Sequence, residues 1–444
     1  MSVCLERAQR ARIAWVSPHQ GPSPIYRKAF RDAGYVISDL KDERMADLAI
    51  VDLRQVDLTA SSIRKLTSIA RRSAPHGNIV FLSTEMPATA HRTYLRRSGT
   101  LVSVKDDLVP LISACREKIR ERNLGEEAGE RIKTLAHSGA LKHLKETTAR
   151  QHSQQILVAG QPSPTTLNAI SVLQRFGYIA EGVLSPSQAM VAIESNQYQC
   201  AVFLPSSPSD PLQSLAVKCK RRAFNADLPV ILVSNQNISG HDTISNQQVE
   251  HDLCPLVRDA ITRRRQNKLL RTLLRTDVHD VVKDSHTEAV NATFFARHAA
   301  RLIARSQETE RPMAMVAISL QAQAFNGTAT SDIAEPLADI ASLITTVTRS
   351  EDMLARIAPT TFILTLPATT ATDSKKICGR LTGVLQNTMF KMNGQDLGEK
   401  LLFAVSAKVN TEAVIADTKL EEIVARLLSG LTPTMFNDNV AQLR

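Results

Sequence analysis

The chain has 444 residues, of which 43% are hydrophobic, so about three domains with ordinary apolar cores are expected. A formal net charge of +10 favours anionic partners, whereas an aromatic content of 4%, with Trp15 as the only tryptophan, argues against aromatic platforms for sugars or single-stranded nucleic acid. The most basic stretch, residues 263–275, is interpreted as the solvated face of a linker helix.

The sequence carries no signature of a metal site, a disulfide or a membrane span. None of the six cysteines forms a C-x-x-C pair, and none of the eleven histidines forms an H-x-x-x-H pair. No apolar run approaches the roughly 18 residues of a membrane helix, and the N-terminus lacks an apolar signal core. We therefore expect a soluble, cytoplasmic protein with reduced cysteines, no metal and no membrane insertion.

A weak internal repeat occupies the first two thirds of the chain. Ile13–Val16 and Ile156–Ala159 are strand-like, and each is followed by a polar turn and a helix-like segment that stops at Gly34 or Gly177. Further short apolar runs follow in each copy: Leu48–Val51, Ile79–Leu82 and Leu101–Val104, then Ala201–Leu204 and Val230–Val233. Apolar strands that alternate with amphipathic helices predict two α/β units, each with a doubly wound parallel sheet.

In the first copy, three polar residues follow predicted strands. Asp52 follows the third strand, Ser83 the fourth and Lys105 the fifth. This pattern resembles the receiver domains of response regulators, which have the flavodoxin-like fold and are phosphorylated on an aspartate at the position of Asp52. The resemblance implies that Asp52 is a possible phosphoacceptor, but Ser17-Pro18 replaces the acidic pair that would hold Mg²⁺ for phosphoryl transfer. The alternative is an aspartate that caps a strand end.

The second copy departs further from the receiver pattern. Leu204 stands at the acceptor position, and Gly160-Gln161 replaces the acidic pair. Phosphorylation of the usual kind is therefore not expected, and this unit is interpreted as a packing or partner-binding module. Between the copies, the charged residues 121–153 predict a helical linker.

The most informative segment runs from Arg349 to Pro367. It begins with an R-x-x-D element, Arg349 and Asp352, and continues as two apolar stretches around residues 358–361 (Ala-Pro-Thr-Thr), which predict a β-hairpin. The spacing, with Phe362 and a terminal Leu-Pro, resembles the central hairpin of GGDEF domains, the catalytic domains of diguanylate cyclases. In that family the four residues before the phenylalanine are Gly-Gly-Asp/Glu-Glu.

Other landmarks agree with this register, namely Asp284–Thr287, Asn291, Phe294–Phe295 and the apolar run Met315–Ile318. The predicted domains are a receiver-like unit at 10–120, the linker at 121–153, a second receiver-like unit at 154–268 and a degenerate GGDEF domain at 276–444. This layout resembles the PleD type of diguanylate cyclase. Its degenerate form resembles a non-catalytic adaptor paralogue of that type, which responds to cyclic di-GMP in regulated proteolysis.

The residues at the expected active site argue against catalysis. Joining two GTP molecules needs Mg²⁺ to activate a hydroxyl and to neutralise the triphosphate. By resemblance, the metal carboxylates would come from the first core strand and the hairpin, where Ser319, Thr360 and Thr361 stand instead. Pro359 has a fixed φ and no N–H at a position where the family approaches phosphate with glycine. We expect no cyclase activity and no metal in this domain.

The resemblance implies that this domain still binds a ligand. In GGDEF domains the R-x-x-D element is the inhibitory site for the product, cyclic di-GMP. Arg349 and Asp352 supply it here, and Arg380 falls where the family places a further arginine. A guanidinium can fork onto guanine O6 and N7 or onto a phosphate, and an aspartate can accept from guanine N–H groups. Arg356 also matches the family, and we expect it to support the hairpin.

The R-x-x-D spacing alone has little specificity, because it also occurs at Arg44/Asp47 and Arg54/Asp57. The alternative for the third instance is a surface ion pair between its arginine and aspartate, and the alternative for Arg380 is a solvated helix residue.

The favoured function is a non-catalytic cyclic di-GMP effector, expected to be a homodimer, which presents receiver-like units to protein partners in two-component signalling and cell-cycle control. Recruitment to a cell pole is implied by the resemblance alone. The competing functions are a PleD-like cyclase with an unusual active site, a DNA-binding response regulator and a structural scaffold. We expect no nucleic-acid binding, because no helix-turn-helix signature is visible.

Overall fold

A computed structural model describes most of the chain as three α/β units with long helices between them. The described residues are 11–18, 21–38, 46–75, 78–84, 87, 89–104, 107–138, 154–195, 197–207, 209–221, 228–234, 242–275, 282–323, 336–393, 400–414, 418–429 and 431. Within these ranges, no helix combines the length and the apolar composition needed to cross a membrane.

The first unit is a five-stranded parallel sheet with an apolar core on each face. Its strands are β1 (Ala11–Val16), β2 (Tyr35–Ser38), β3 (Leu48–Asp52), β4 (Asn78–Ser83) and β5 (Thr100–Ser103), and its helices are α1 (Pro24–Asp32), α2 (Ala60–Ser73), α3 (Thr89–Ser98) and α4 (Val109–His137). The order β2-β1-β3-β4-β5 is the doubly wound, flavodoxin-like order. Strands β1, β3 and β4 are almost fully buried, because helices cover both faces of the sheet.

The second unit repeats this architecture. Its strands are β6 (Gln155–Gly160), β7 (Ile179–Val183), β8 (Cys200–Leu204), β9 (Val230–Val233) and β10 (Asp242–Ile244), and its helices are α5 (Pro164–Arg175), α6 (Pro186–Glu194), α7 (Pro211–Arg221) and α8 (Val249–Arg275). Read from the opposite edge, its order β10-β9-β8-β6-β7 is the same as in the first unit. Gly34 and Gly177 follow α1 and α5 with φ of 86° and 84°, so both predicted helix stops are confirmed.

The third unit is a six-stranded, mostly antiparallel sheet of order β11-β13-β14-β12-β16-β15. Its strands are β11 (Val290–Asn291), β12 (Met313–Gln323), β13 (Met353–Ala358), β14 (Thr361–Pro367), β15 (Met389–Asn393) and β16 (Lys400–Ala413), and its helices are α9 (Ala292–Thr309), α10 (Leu337–Val347), α11 (Ala371–Gln386) and α12 (Leu420–Ser429). Helices α9 and α12 cover one face, and α10 and α11 cover the other. The predicted hairpin around residues 358–361 is confirmed as β13–β14.

Two long helices connect the units. Helix α4 has 29 residues and continues without a break through residue 120. The sequence predicts that the first unit ends at this residue and that a linker begins after it. Helix α8 likewise continues past residue 268. The rest of the predicted linker, 139–153, lies outside the described residues.

Helix α4 lies against both α8 and the third unit. Leu124 packs with Leu274 of α8, and Leu135 belongs to the core between α9 and the third sheet. Beside this apolar contact, Glu130 pairs with Arg305 of α9 at 2.7 Å. The C-terminal half of α4 is therefore in contact with the unit that carries the candidate site.

Candidate ligand-binding site

The loop between α10 and β13, residues 348–352, carries the R-x-x-D element and is called the arginine loop below. Its aspartate closes a local turn, because Asp352 Oδ2 accepts a hydrogen bond from the Arg349 N–H at 2.8 Å. In return, the Asp352 N–H donates to the Arg349 carbonyl at 3.1 Å. Two reciprocal bonds thus fix the spacing of the two residues, and α10 and β13 hold the loop from either end.

The Arg349 side chain is exposed. Within the described part of the chain it forms no ion pair with Asp352, since the carboxylate contacts the backbone of Arg349 and not its guanidinium. The surface ion pair considered as an alternative is therefore not formed. An exposed guanidinium on a turn of defined geometry suits an anionic or guanine-bearing ligand.

Arg380 lies beside the same loop. It projects from α11, and its Nη2 donates to the Val347 carbonyl at 2.8 Å. Val347 is the last residue of α10, so the arginine satisfies a carbonyl that the helix end leaves without an intrahelical partner. This contact anchors one nitrogen of Arg380 two residues before Arg349, and the rest of its exposed guanidinium remains available to a ligand. The three predicted residues therefore converge on one loop.

Asp352 is partly buried, which the sequence did not predict. Its Oδ1 is buried and has no hydrogen-bond partner. Burial raises its pKa to about 7, and repulsion from Glu351 and from Glu127 of α4 adds to the rise. A ligand that bonds to Oδ1 must therefore first draw the carboxylate outward.

The hairpin places the expected catalytic positions together at one end of the sheet. Ser319 of β12 lies opposite Thr361 of β14, and the Leu320 N–H donates to the Thr360 carbonyl at 2.9 Å. The sequence had predicted that the first core strand and the hairpin meet here, and this is confirmed. The side chains at this junction are hydroxyls, which are weak ligands for Mg²⁺ in comparison with carboxylates.

Arg356 supports the hairpin, as expected. Its Nη2 donates to the Pro359 carbonyl in the turn at 2.9 Å, and its Nη1 pairs with Asp284 at 3.0 Å. Asp284 in turn caps the segment that leads into β11, because its Oδ1 accepts from the Thr287 N–H at 3.0 Å. Arg356 is thus engaged on two sides and is not available to a ligand.

The candidate acceptor of the first unit, Asp52, lies at the end of β3 as predicted. Both of its carboxylate oxygens are held by Arg54, whose Nε donates to Oδ1 at 2.9 Å and whose Nη2 donates to Oδ2 at 2.7 Å. The Arg54 guanidinium also lies 4.6 Å from the centroid of the Tyr26 ring and donates to its hydroxyl. The Arg54 guanidinium therefore occupies both of the oxygens through which Asp52 could bind a metal. Lys105, the third residue of the predicted set, lies outside the described residues.

We expect that Mg²⁺ with beryllofluoride, a mimic of the phosphoryl group, leaves the fluorescence of Trp15 unchanged. The indole is 5.3 Å from the Tyr26 ring, so displacement of Arg54 would alter its surroundings. A bidentate guanidinium–carboxylate pair is a strong competitor for the carboxylate, and no acidic pair is present at Ser17-Pro18 to bind Mg²⁺. A saturable fluorescence change that disappears in Asp52→Asn would contradict this expectation.

In the second unit, the acceptor position is apolar in structure as well as in sequence. Leu204 is 7% exposed at the end of β8, and a Cβ added at Gly160 would lie only 3.0 Å from the Leu204 Cβ. Close packing between Gly160 and Leu204 therefore fills this end of the sheet. Over the described residues of the whole chain, no group of three or more His, Cys, Asp or Glu side chains could hold a metal ion.

No protein-family model matches the chain, and no curated protein matches it. Solved structures show partial similarity. The GGDEF domain of DgcB from Caulobacter crescentus, in complex with c-di-GMP, aligns at 16% identity over 34% of this chain and 85% of its own, with a TM-score of 0.29.

Two structures from Pseudomonas aeruginosa are similar at the same level. The FimX GGDEF domain aligns at 17% identity over 36% of this chain and 94% of its own, with a TM-score of 0.29. The diguanylate cyclase SiaD, in complex with its activator SiaC, aligns at 18% identity over 67% of this chain and 92% of its own, with a TM-score of 0.30. Similarity at these TM-scores does not by itself establish a family for the chain.

Proposed function

We propose that the chain is a non-catalytic effector of cyclic di-GMP, built on a degenerate GGDEF-type domain. The observation that carries the proposal is the convergence of Arg349, Asp352 and Arg380 on the arginine loop. The register of the GGDEF pattern distinguishes this R-x-x-D sequence from the other two in the chain, and a second arginine, Arg380, contacts the end of the helix that leads into its loop. The contact of Arg380 with the end of α10 is independent of the sequence pattern and supports the same site.

The chemistry of the loop suits cyclic di-GMP. The ligand offers two phosphodiester anions and two guanine rings, and each ring presents O6 and N7 acceptors beside N–H donors. An exposed guanidinium can bond to either acceptor set in a bidentate manner, and a carboxylate drawn outward can accept from the guanine N–H groups. The net charge of +10 adds a general attraction for a dianion.

The same domain is proposed to lack cyclase activity. The junction of β12 with the hairpin offers Ser319, Thr360 and Thr361 where two-metal chemistry needs carboxylates, and Pro359 has no N–H to donate to a phosphate. The alternative is a PleD-like cyclase that draws its acidic groups from elsewhere.

Incubation of the full chain with Mg²⁺ and GTP separates the two functions. We expect no cyclic di-GMP above the level of a protein-free control when products are resolved by chromatography. A product that accumulates in proportion to protein concentration, and that persists in Thr360→Ala, would reject the non-catalytic proposal in favour of acids supplied elsewhere.

The first two units are proposed to be receiver-like modules that present surfaces to protein partners. The ion pair that holds Asp52 and the apolar packing at Leu204 support a role without phosphorylation. The overall layout resembles PopA-type adaptors, so we propose a signalling role, in regulated proteolysis or cell-cycle control, with a homodimer as the assembled form. Sedimentation velocity with and without cyclic di-GMP tests the dimer, and a monomer under both conditions would reject it.

A further inference from the structure

A closed ring of four alternating charges, called the charge ring below, joins the first unit to the third. Arg122 of α4 pairs with Asp47, just before β3, and with Glu126 of α4, each at 2.8 Å. Arg311, between α9 and β12, pairs with the same two carboxylates. The four side chains are only 11–19% exposed. Each charge in the ring thus contacts two charges of opposite sign, and Arg311 is the one member that the third unit supplies.

The first unit fixes its part of the charge ring by itself. Asp47 Oδ2 accepts a backbone N–H of β1 at 2.7 Å, so Oδ1 is left for the guanidiniums of Arg122 and Arg311. Glu126 lies one turn after Arg122 on the same helix. Burial acts to raise the pKa of Glu126, but the positive charges of Arg311, Arg122 and Arg305 outweigh it and lower that pKa. The first unit therefore offers two carboxylates in fixed positions to a cation from the third.

The charges around the ring are complementary across the interface. Glu130, further along α4, pairs with Arg305 and Arg301 of α9 at 2.7 and 3.2 Å. The polarity is reversed at the other side, where Arg12 of β1 pairs with Glu310 of the third unit at 2.9 Å. A rotated docking would bring like charges together, so this pattern favours one orientation of the two units.

The apolar part of the interface between α4 and the third unit is small. Among the buried apolar residues that the structure describes on α4, Leu135 alone belongs to the core of the third unit. The others pack in the first unit or against α8. Contacts between domains that are mainly polar resemble transient interfaces and allow the domains to move relative to each other. Whether the two units stay together therefore depends mainly on their charges.

We propose that the charge ring is an ionic latch, which holds the third unit on the first while Arg311 occupies it and lets the two units separate when Arg311 leaves. Arg122 keeps its ion pairs with Asp47 and Glu126 in the open form, so neither carboxylate loses its last cationic partner. Both forms are therefore accessible to the folded chain. The latch needs no cyclic di-GMP, and it goes beyond the proposed function.

The test is hydrogen–deuterium exchange and small-angle X-ray scattering on the full chain without ligand. Arg311→Glu places a third carboxylate beside Asp47 and Glu126, and it is expected to open the latch and to increase the radius of gyration. Amide exchange in residues 124–135 of α4 is expected to become about tenfold faster or more, the effect of losing a hydrogen bond to a charged group. Lys375→Glu, on α11 at the opposite face of the third sheet, reverses an exposed charge and is expected to behave like wild type.

Arg311→Met keeps the proposal testable if Arg311→Glu does not fold, because it removes the charge without adding a carboxylate. Its exchange in residues 124–135 is expected to lie between wild type and a tenfold increase. In either variant β3 is expected to exchange like wild type, since the first unit stays folded. A folded Arg311 variant with wild-type exchange and radius of gyration would overturn the latch. Equal acceleration in β3, or in Lys375→Glu, would also overturn it, because the effect would then be a general loss of stability.

Discussion

Replacing Arg349 with alanine is expected to weaken cyclic di-GMP binding by about 10- to 150-fold. A hydrogen bond to a charged group contributes about 1.5–3 kcal/mol, and each 1.4 kcal/mol corresponds to a factor of ten in the dissociation constant. The side chain is exposed and, within the described residues, forms no ion pair, so its loss should leave the melting temperature unchanged. Calorimetric titration of the variant and the wild type measures the effect directly.

Variants of two further arginines extend the comparison of Arg349→Ala with the wild type. Arg297 on α9 is an exposed arginine of the same domain, so Arg297→Ala removes an equal charge from a different element and is expected to bind like wild type. Arg380→Ala is expected to weaken binding by about tenfold, because one of its nitrogens is already engaged with Val347. Wild-type affinity in Arg349→Ala, or equal losses in Arg349→Ala and Arg297→Ala, would place the ligand elsewhere.

Arg92→Ala is expected to destabilise the chain by about 3–5 kcal/mol, the largest stability effect that the structure predicts. Arg92 of α3 pairs with Asp252 of α8 at 2.9 Å, and the two side chains are only 3% and 4% exposed. The pair joins the first unit to the second, and its disruption leaves the buried carboxyl group of Asp252 without its cationic partner. Urea unfolding followed by far-UV circular dichroism and by Trp15 fluorescence measures the loss.

A double variant distinguishes charge from packing at this interface. Arg92→Met with Asp252→Leu removes both charges and keeps apolar volume, so it is expected to recover most of the stability lost in Arg92→Ala. If the double variant is no more stable than Arg92→Ala, then the loss arises from packing and the buried charge is not its cause. A cost below about 1 kcal/mol for Arg92→Ala would mean that water reaches the pair.

The buried strands could be predicted from the sequence, whereas most edge strands could not. Strands β1, β3, β4, β6, β8 and β9 are apolar because helices or sheet neighbours cover them, and each coincides with an apolar run in the sequence. Strands β2, β7 and β10 lie at sheet edges, and the residues of β7 are mostly exposed, so they lack that signal. The predicted parallel α/β architecture of the first two units is nevertheless confirmed.

The sequence could predict which residues form the candidate site, but it could not predict how their side chains are oriented. The R-x-x-D register and the position of Arg380 follow from the hairpin and from the helix after it. The burial of Asp352 Oδ1 does not, because it depends on residues that are distant in sequence and pack around the loop only in the folded chain. The sequence likewise indicates Arg54 only as part of an R-x-x-D sequence, whereas the turn after β3 brings it onto Asp52.

Titration of the wild-type chain with cyclic di-GMP at pH 8 tests the central claim most directly. The account predicts saturable binding that is lost or strongly weakened in Arg349→Ala and retained in Arg297→Ala. A wild-type chain that gives no saturable heat at ligand concentrations well above the protein concentration would contradict it, because the arginine loop would then bind no cyclic di-GMP.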